Sequence, residues 1–536
     1  MATKTDKKDD PSTVSSAYST MSDRWYMISQ LLGGTEAMRE AGETLLPRHP
    51  RERGEAYNER ISKAVLYNLF ELTVDLLSGK PFTEDVSWED GMPAAIARYA
   101  DDIDLQGNNL TRFSYEVFRT ALAKSMSHVL ADAPPASDEV VTLADERDLG
   151  IRPYLVHIMP ENLLFAEAKR IRGEEVLTHV RFRQLEVSRN GYEEVHTEFI
   201  RILDLMVQPR KNSINGEEDF IVRSAWWYQP TEGPDKGKWV EDKDRQALIE
   251  ADRIPLSTFY TSRDGFMVGK PPLLDLAYMN VEHWQSYSDQ MNILTVTRFP
   301  LLASSGVSEY DTEATVVGPR EMLIAEDPTA RFYYVEHSGA AIASGEKSIK
   351  DLEARMASYG SSLLQKRPDR ETASARAASE ESVTSPLQRM VRAFADFMRV
   401  TLGHLHDLDG GDRLEIPKIK VRDDFANEGV DAVELQTLQV AVREGVISRN
   451  GFLSELIRKK VLSADFDINS DLAMLKAEIA IRAELAAADK GMSGVQDPNA
   501  TGPKAGGTPD IKEPRDAKSG RPGGSNTEKT DPEEEN

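Results

Sequence analysis

Residues 271–299 read PPLLDLAYMNVEHWQSYSDQMNILTVTRF, and residues 344–365 read SGEKSIKDLEARMASYGSSLLQ. In the first, Ala277, Val281, Trp284, Tyr287, Met291 and Leu294 step by three or four. In the second, Ile349, Leu352, Met356, Tyr359 and Leu363 do the same. That spacing predicts two helices, each with an apolar seam that packs lengthwise against a neighbour. Between them lies a compact insert. Asp275, Glu282 and Asp289 recur every seventh residue. A straight helix drifts only about 20° per heptad, so the three carboxylates share one face. No Lys or Arg occurs from Leu273 to Thr297.

The acidic stripe has three readings. An outer face in water is the plainest, although ordinary exposed helices mix both signs. A single-sign stripe also suits a wall past which a polyanion slides, because repulsion from phosphate prevents sticking. The third reading uses the second helix, where Lys347, Lys350 and Arg355 stand beside Asp351 and Glu353. Those cations could pair with acids on a neighbouring helix.

The rest of the chain sets the frame. Its 536 residues suggest two to four domains. There are 65 basic and 90 acidic side chains, giving a net charge of −25. An overall field of that sign argues against nucleic-acid binding by bulk charge. No cysteine is present, so disulfides and thiolate chemistry are excluded. The first residues lack the apolar core of a signal peptide. No run of about eighteen apolar residues exists to span a membrane.

Residues 1–20 are polar and expected to be disordered. From Met21 to Lys124 the pattern is helical. Ile61, Val65, Leu69, Leu72 and Leu76 read as one helix face, stopped at Gly79-Lys80-Pro81. Phe113, Val117, Phe118 and Leu122 mark another helix. Residues 151–260 read as a small antiparallel sheet. Val180 and Phe182 alternate with Arg181 and Arg183, Asn190-Gly191 signals a hairpin, and Asn215-Gly216 offers a second turn. Arg181 and Arg183 are read as an exposed strand face in preference to a phosphate contact. Within residues 300–340, Ala314–Val317 and Phe332–Val335 are strand-like, with turns at Gly318-Pro319 and Asp327-Pro328. Pro368 interrupts a charged stretch, Lys366 to Glu371. Helix resumes through Val391, Phe394, Phe397, Met398 and Leu402, and a last helical region covers Val430 to Asp489. The tail from Lys490 has no aromatic residue and is expected to be disordered. The fold class is α+β, mainly helical.

Motifs for chemistry are weak. His404-Leu405-His406-Asp407-Leu408-Asp409-Gly410-Gly411-Asp412 is the most metal-like segment. Its EF-hand register fails, because Lys418 stands where a bidentate Glu is needed. A helix ending in a Gly-rich turn is the better reading. Gly269-Lys270 has the wrong preceding spacing for a phosphate loop, and Pro271 replaces its Ser or Thr. Ser304-Ser305-Gly306 is no nucleophile elbow. No catalytic, cofactor-binding or metal residue is expected, and the chain reads as not an enzyme.

Several short motifs carry a resemblance. Arg24-Trp25, Leu31-Leu32-Gly33-Gly34, Met38-Arg39-Glu40-Ala41-Gly42 and Leu45-Leu46-Pro47 lead into Tyr57, Arg60, Asn68 and Gly79-Lys80-Pro81-Phe82. Ile254-Pro255-Leu256 and Phe259-Tyr260 precede Gly269-Lys270-Pro271-Pro272-Leu273-Leu274-Asp275-Leu276-Ala277. Val317-Gly318-Pro319, Tyr334-Val335-Glu336 and Glu371-Thr372-Ala373-Ser374 follow. In these the chain resembles the portal proteins of tailed bacteriophages, in a subgroup catalogued as a domain of unknown function. The likeness covers about Met21 to Asp489 and weakens towards the end.

The resemblance implies a homo-oligomeric ring, usually a dodecamer, at one capsid vertex of the virion. It would be assembled in the host cytoplasm. Double-stranded DNA would enter and leave through the central channel. Partners would be the large terminase, scaffold and major capsid protein, and a head-completion adaptor, with no membrane and no cofactor. In those terms 21–268 would be the wing, 271–299 and 344–366 the stem helices, and 300–340 the clip. Residues 367–426 would be the tunnel loop and a wing helix, and 427–489 the crown. Asp275, Glu282 and Asp289 would line the channel. Lys366, Arg367 and Arg370 would grip DNA weakly from the tunnel loop. Trp284, Tyr287, Met291, Leu352, Met356 and Tyr359 would meet neighbouring subunits along the stem. Two rival readings are a head–tail adaptor or scaffold without a channel, and an enzyme with a dispersed active site.

Overall fold

The computed structural model describes residues 10–134, 151–171, 173–209, 218–298, 301–305, 328–335, 339–361, 385–425 and parts of 439–480. The chain divides into two compact units, Met1–Glu428 and Gly429–Asn536. The first unit opens with helices α1 (Ser16–Leu32), α2 (Gly34–Glu40), α3 (Gly54–Lys63) and α4 (Leu69–Gly79). A two-residue strand β1 (Ser87–Trp88) precedes α5 (Ala94–Tyr99) and α6 (Leu110–Lys124).

Strands then take over: β2 (Met126–Asp132), β3 (Tyr154–Ile158), β4 (Leu163–Ile171), β5 (Glu174–Asn190), β6 (Glu193–Pro209), β7 (Glu218–Tyr228), β8 (Val240–Ile249) and β9 (Leu256–Tyr260). Four through eight form one antiparallel meander in sequence order, and β3-β2-β9 form a separate three-stranded sheet. Helix α7 (Leu274–Arg298) leads into β10 (Leu301–Ser305), which pairs with β11 (Arg331–Val335) before α8 (Gly339–Ser361) returns. Helix α9 (Pro386–Leu408) follows, and β12 (Ile419–Lys420) pairs back with β1. The described part of the second unit includes α10 (Arg449–Arg458). Antiparallel sheets with helices segregated from them make an α+β fold.

The core of the first unit is built on α9. Ser385 and Gln388 form a reciprocal capping box, with Pro386 at the first helical position. This fixes the register that buries Leu387, Val391, Phe394, Met398, Leu402 and Leu405. Phe394 stands edge-on to Phe118 and Phe259, at 5.4 and 5.0 Å between ring centroids. Phe118 comes from α6 and Phe259 from β9, so one aromatic cluster ties helix, sheet and α9 together.

The two sheets share a polar joint. Arg201 on β6 donates two hydrogen bonds to Asp132 on β2, at 2.5 and 2.8 Å, and its Nε donates to Ser224 Oγ at 3.0 Å. Both charges are buried, and the guanidinium also lies 4.8 Å from the Trp226 ring. Breaking such a pair leaves an uncompensated buried charge, so it fixes how the sheets meet.

Several expectations change. Ile61, Val65, Leu69, Leu72 and Leu76 do not form one helix face. Helix α3 ends at Lys63, and the Asn68 side chain caps a new helix by accepting from Glu71 N. That new start rotates α4 so that Phe70, Val74 and Leu77 are buried, while Val65, Leu72 and Leu76 are exposed. The region expected to be disordered up to residue 20 contains the first turn of α1. Ser15 caps it, and Ser15 N donates to Leu164 O. Arg181 donates to Pro11 O and covers the Phe165 ring, and Arg183 pairs with Glu198 at 2.8 Å. The hairpin at Asn190-Gly191 joins β5 to β6. Asn215-Gly216 and Ala314–Val317 lie outside the described residues.

Candidate functional site: the paired helices

Helix α7 is fixed to the body by polar side chains spaced along it. Asn280, fully buried, accepts from Phe70 N at 2.9 Å and donates to Tyr67 O at 3.1 Å. The first N–H groups of any helix lack internal partners, so Asn280 supplies one to α4 from another element. One turn on, Gln285 Nε2 donates to Leu45 O at 3.0 Å. Another turn on, Asp289 lies 3.1 Å from His49 Nε2 and 3.6 Å from Arg60 Nη1.

Arg60 is the centre of this last contact. Its side chain is 2% exposed and forks onto Glu52 at 2.9 and 2.8 Å. It also donates to Pro47 O at 2.9 Å. Those hydrogen bonds hold the Glu52 carboxyl well below its usual range, at about 2. Beside this latch a cleft of about 220 Å³ separates α3 from α7, lined by Arg60, Lys63, Ser288, Met291 and Thr295 among others. Ligand pockets typically measure about 300–1,000 Å³, so this one is small for a substrate.

Helix α8 runs antiparallel to α7, and three contacts set the register. Tyr359 Oη donates to Asp275 Oδ2 at 3.1 Å, His283 Nε2 faces Glu353 Oε1 at 3.1 Å, and Gln290 Nε2 donates to Ile342 O at 3.1 Å. Two glycines on α8 permit the approach. A Cβ at Gly345 would collide with the Gln290 side chain, and one at Gly360 would press on Thr73 of α4.

The three acids of the stripe do share a face, but they differ in company. Asp275 is exposed, with Tyr359 and a 4.0 Å ion pair to Lys270. Asp289 is half-buried against His49 and Arg60. Glu282 is exposed and makes no ion pair with any described residue. Trp284, Leu352 and Met356, expected to meet a neighbouring subunit, are 0%, 3% and 0% exposed within the single chain. Those three side chains pack inside the body of the single chain. Tyr287, Met291 and Tyr359 remain half-exposed. Lys366, Arg367 and Arg370 lie outside the described residues.

The residues with chemical promise elsewhere are structural. Burial holds His404 down at about 4, and Asp407 pairs with Arg413 at 3.2 Å and accepts from its N–H. Among the described residues no group of three His, Cys, Asp or Glu could hold a metal. Ser127 Oγ and His157 Nε2 stand 2.7 Å apart, a nucleophile–base distance. Ser127 is fully buried, and His157 has no carboxylate partner among the described residues, so the pair lacks both access and orientation. No described helix is long and apolar enough to cross a membrane.

Sequence reasoning missed the contacts that matter most here: Asn280, Gln285, Gln290, His283 and the Arg60–Glu52 fork. Their only signal was polar residues beside an apolar seam, at 280, 283 and 290, where a solvent-facing helix would carry charge.

Comparison with known proteins finds a family model that matches part of the chain. A model for a domain of unknown function (DUF4055) matches residues 272–406. That stretch runs from the start of α7 through most of α9 and is less than half of the chain. No curated protein matches. Solved particle structures match with low similarity. The neck of an empty GTA particle computed with C6 symmetry gives a TM-score of 0.34 at 11% identity, covering 73% of this chain and 90% of that one. The virion of a native gene transfer agent (GTA) particle gives 0.34 at 11%, covering 73% and 89%. The neck of a native GTA particle computed with C12 symmetry gives 0.33 at 12%, covering 72% and 89%.

Proposed function

We propose that this chain is a portal-type subunit of a tailed-phage head: a non-enzymatic ring component through which double-stranded DNA passes. One observation carries the reading. An α+β body sends out α7, a two-stranded antiparallel excursion β10–β11 returns, and α8 comes back along α7. That is the order of wing, stem, clip and stem that the residue-level resemblance implies, and the DUF4055 match falls on it.

In this reading α7 and α8 form the stem and the β10–β11 pair belongs to the clip. Residues 367–426 supply the tunnel loop and α9, and the second unit forms the crown. The polar contacts along α7 hold the stem at a fixed angle to the body, as a load-transmitting wall requires. Terminase, scaffold, coat protein and a head-completion adaptor are the partners, at one vertex of the virion.

Electron microscopy of the purified full chain tests the proposal. The expected image is a ring with a central hole. A monomer under all assembly conditions would rule it out, and a compact oligomer without a hole would favour an adaptor. Binding of ATP with magnesium, read by calorimetry, would favour the enzyme reading instead.

A further inference from the structure

The turn that latches α7 also breaks two local rules. His49-Pro50-Arg51-Glu52 is a tight turn in which Glu52 N donates to His49 O at 3.0 Å, and the Glu52 carboxylate accepts from His49 N at 3.0 Å. Its third residue, Arg51, has φ +67°, where glycine or asparagine is the ordinary choice. Arg53 occupies the N-cap of α3, where the helix dipole disfavours a cation. Other cations nearby are neutralised: Arg48 by Glu43, Arg60 by Glu52 and Lys63 by Glu59. Arg51 and Arg53 are exposed and have no ion-pair partner among the described residues. Two broken rules on one rigid turn call for a compensating gain elsewhere.

The acidic stripe of α7 presents the complement. Asp289 is already taken by the same latch, through His49 and Arg60. Glu282 is exposed and has no ion-pair partner among the described residues, and Asp275, which accepts from Tyr359 Oη, has as its cation only Lys270 at 4.0 Å among them. We infer that the basic turn Arg51–Arg53 of one copy docks against the Glu282 and Asp275 face of α7 in the next copy. In a ring each copy offers its turn to one neighbour and its stripe to the other, a head-to-tail contact of the kind that closes rings or propagates filaments. The inference rests on the assembly reading above. It makes the stripe a seam between subunits and removes it from the channel wall.

The test is sedimentation velocity of the full chain at low and moderate salt. The Arg51→Glu, Arg53→Glu double variant should weaken assembly about tenfold or more, because like charges then face each other. Glu282→Arg should do the same. Combining the two sets should restore assembly. Arg51→Gly separates docking from folding: it should raise the thermal midpoint by relieving the turn while still weakening assembly. Unchanged assembly in the double variant overturns the inference, as does a loss that the combined variant fails to regain. A wild type that stays monomeric overturns both this contact and the ring. A wild-type ring unaffected by the substitutions overturns the contact alone.

Discussion

Helices α9 and α7 belong to the same body and the same apolar core, but they are held in different ways. The first, 23 residues long, is capped at its start and buried along a mainly apolar face with phenylalanines clustered near its middle. The second, 25 residues long, buries Leu276, Ala277 and Trp284 and is pinned in addition by single polar side chains reaching backbone groups or charges of other elements. Apolar packing is strong but indifferent to direction. Hydrogen bonds contribute less, but fix orientation and register. A helix that must hold one angle to the body, as the proposed stem would, is better served by the second kind of attachment.

Acid should break the comparison most strongly. Burial holds His128, His157 and His404 down at about 3, 4 and 4, and all three sit in the apolar body on β2, β3 and α9. Each is neutral when folded and charges readily when unfolded, so stability falls as pH drops from about 6.5 towards those values. The slope is up to about 1.4 kcal/mol per pH unit for each histidine. Glu52 responds in the same direction, over a lower window. Its contribution is complete above about 4.5 and is lost only as pH falls through about 2. Hydrogen exchange at stepped pH should therefore show the body opening near pH 5 to 4 while the Glu52–Arg60 fork is still intact. Loss of the fork first would reverse the assignment.

Phe394→Ala should cost about 3–5 kcal/mol in chemical denaturation, by leaving a cavity among Phe118, Phe259 and Phe397. Asn280→Ala should cost about 1–3 kcal/mol, since it strands a buried N–H at Phe70 and a carbonyl at Tyr67. Asn280→Ala should also loosen α7 locally, which exchange at Phe70 N–H would report, whereas Phe394→Ala should act globally. Equal global behaviour of both would erase the distinction. Smallest is Asp289→Asn, about 0–1 kcal/mol because the pair is partly solvated. Its thermal midpoint should rise less with falling salt than that of the wild type.

Much of this architecture was legible in the sequence because apolar periodicity reports burial directly. The seams of α7 and α8, the buried run of α9 and the Asn190-Gly191 hairpin all follow from spacing. Where the reading failed, a single polar residue overrode the period. Asn68 restarted the helix and turned Leu72 and Leu76 outwards, although five residues fitted one face. Trp284 and Met356 looked like surface for a neighbour because spacing cannot say whether the neighbour is another copy or the same chain. The Arg60–Glu52–Asp289 latch joins residues far apart in the chain, and no local pattern announces it. The unfavourable φ of Arg51 depends on the turn that Glu52 closes, which only the three-dimensional structure shows.

The most direct measurement of the central claim is native mass spectrometry of the purified full chain. The account predicts a closed assembly near a dozen times the 59.8 kDa subunit. A species that remains at the subunit mass across salt and concentration would contradict it.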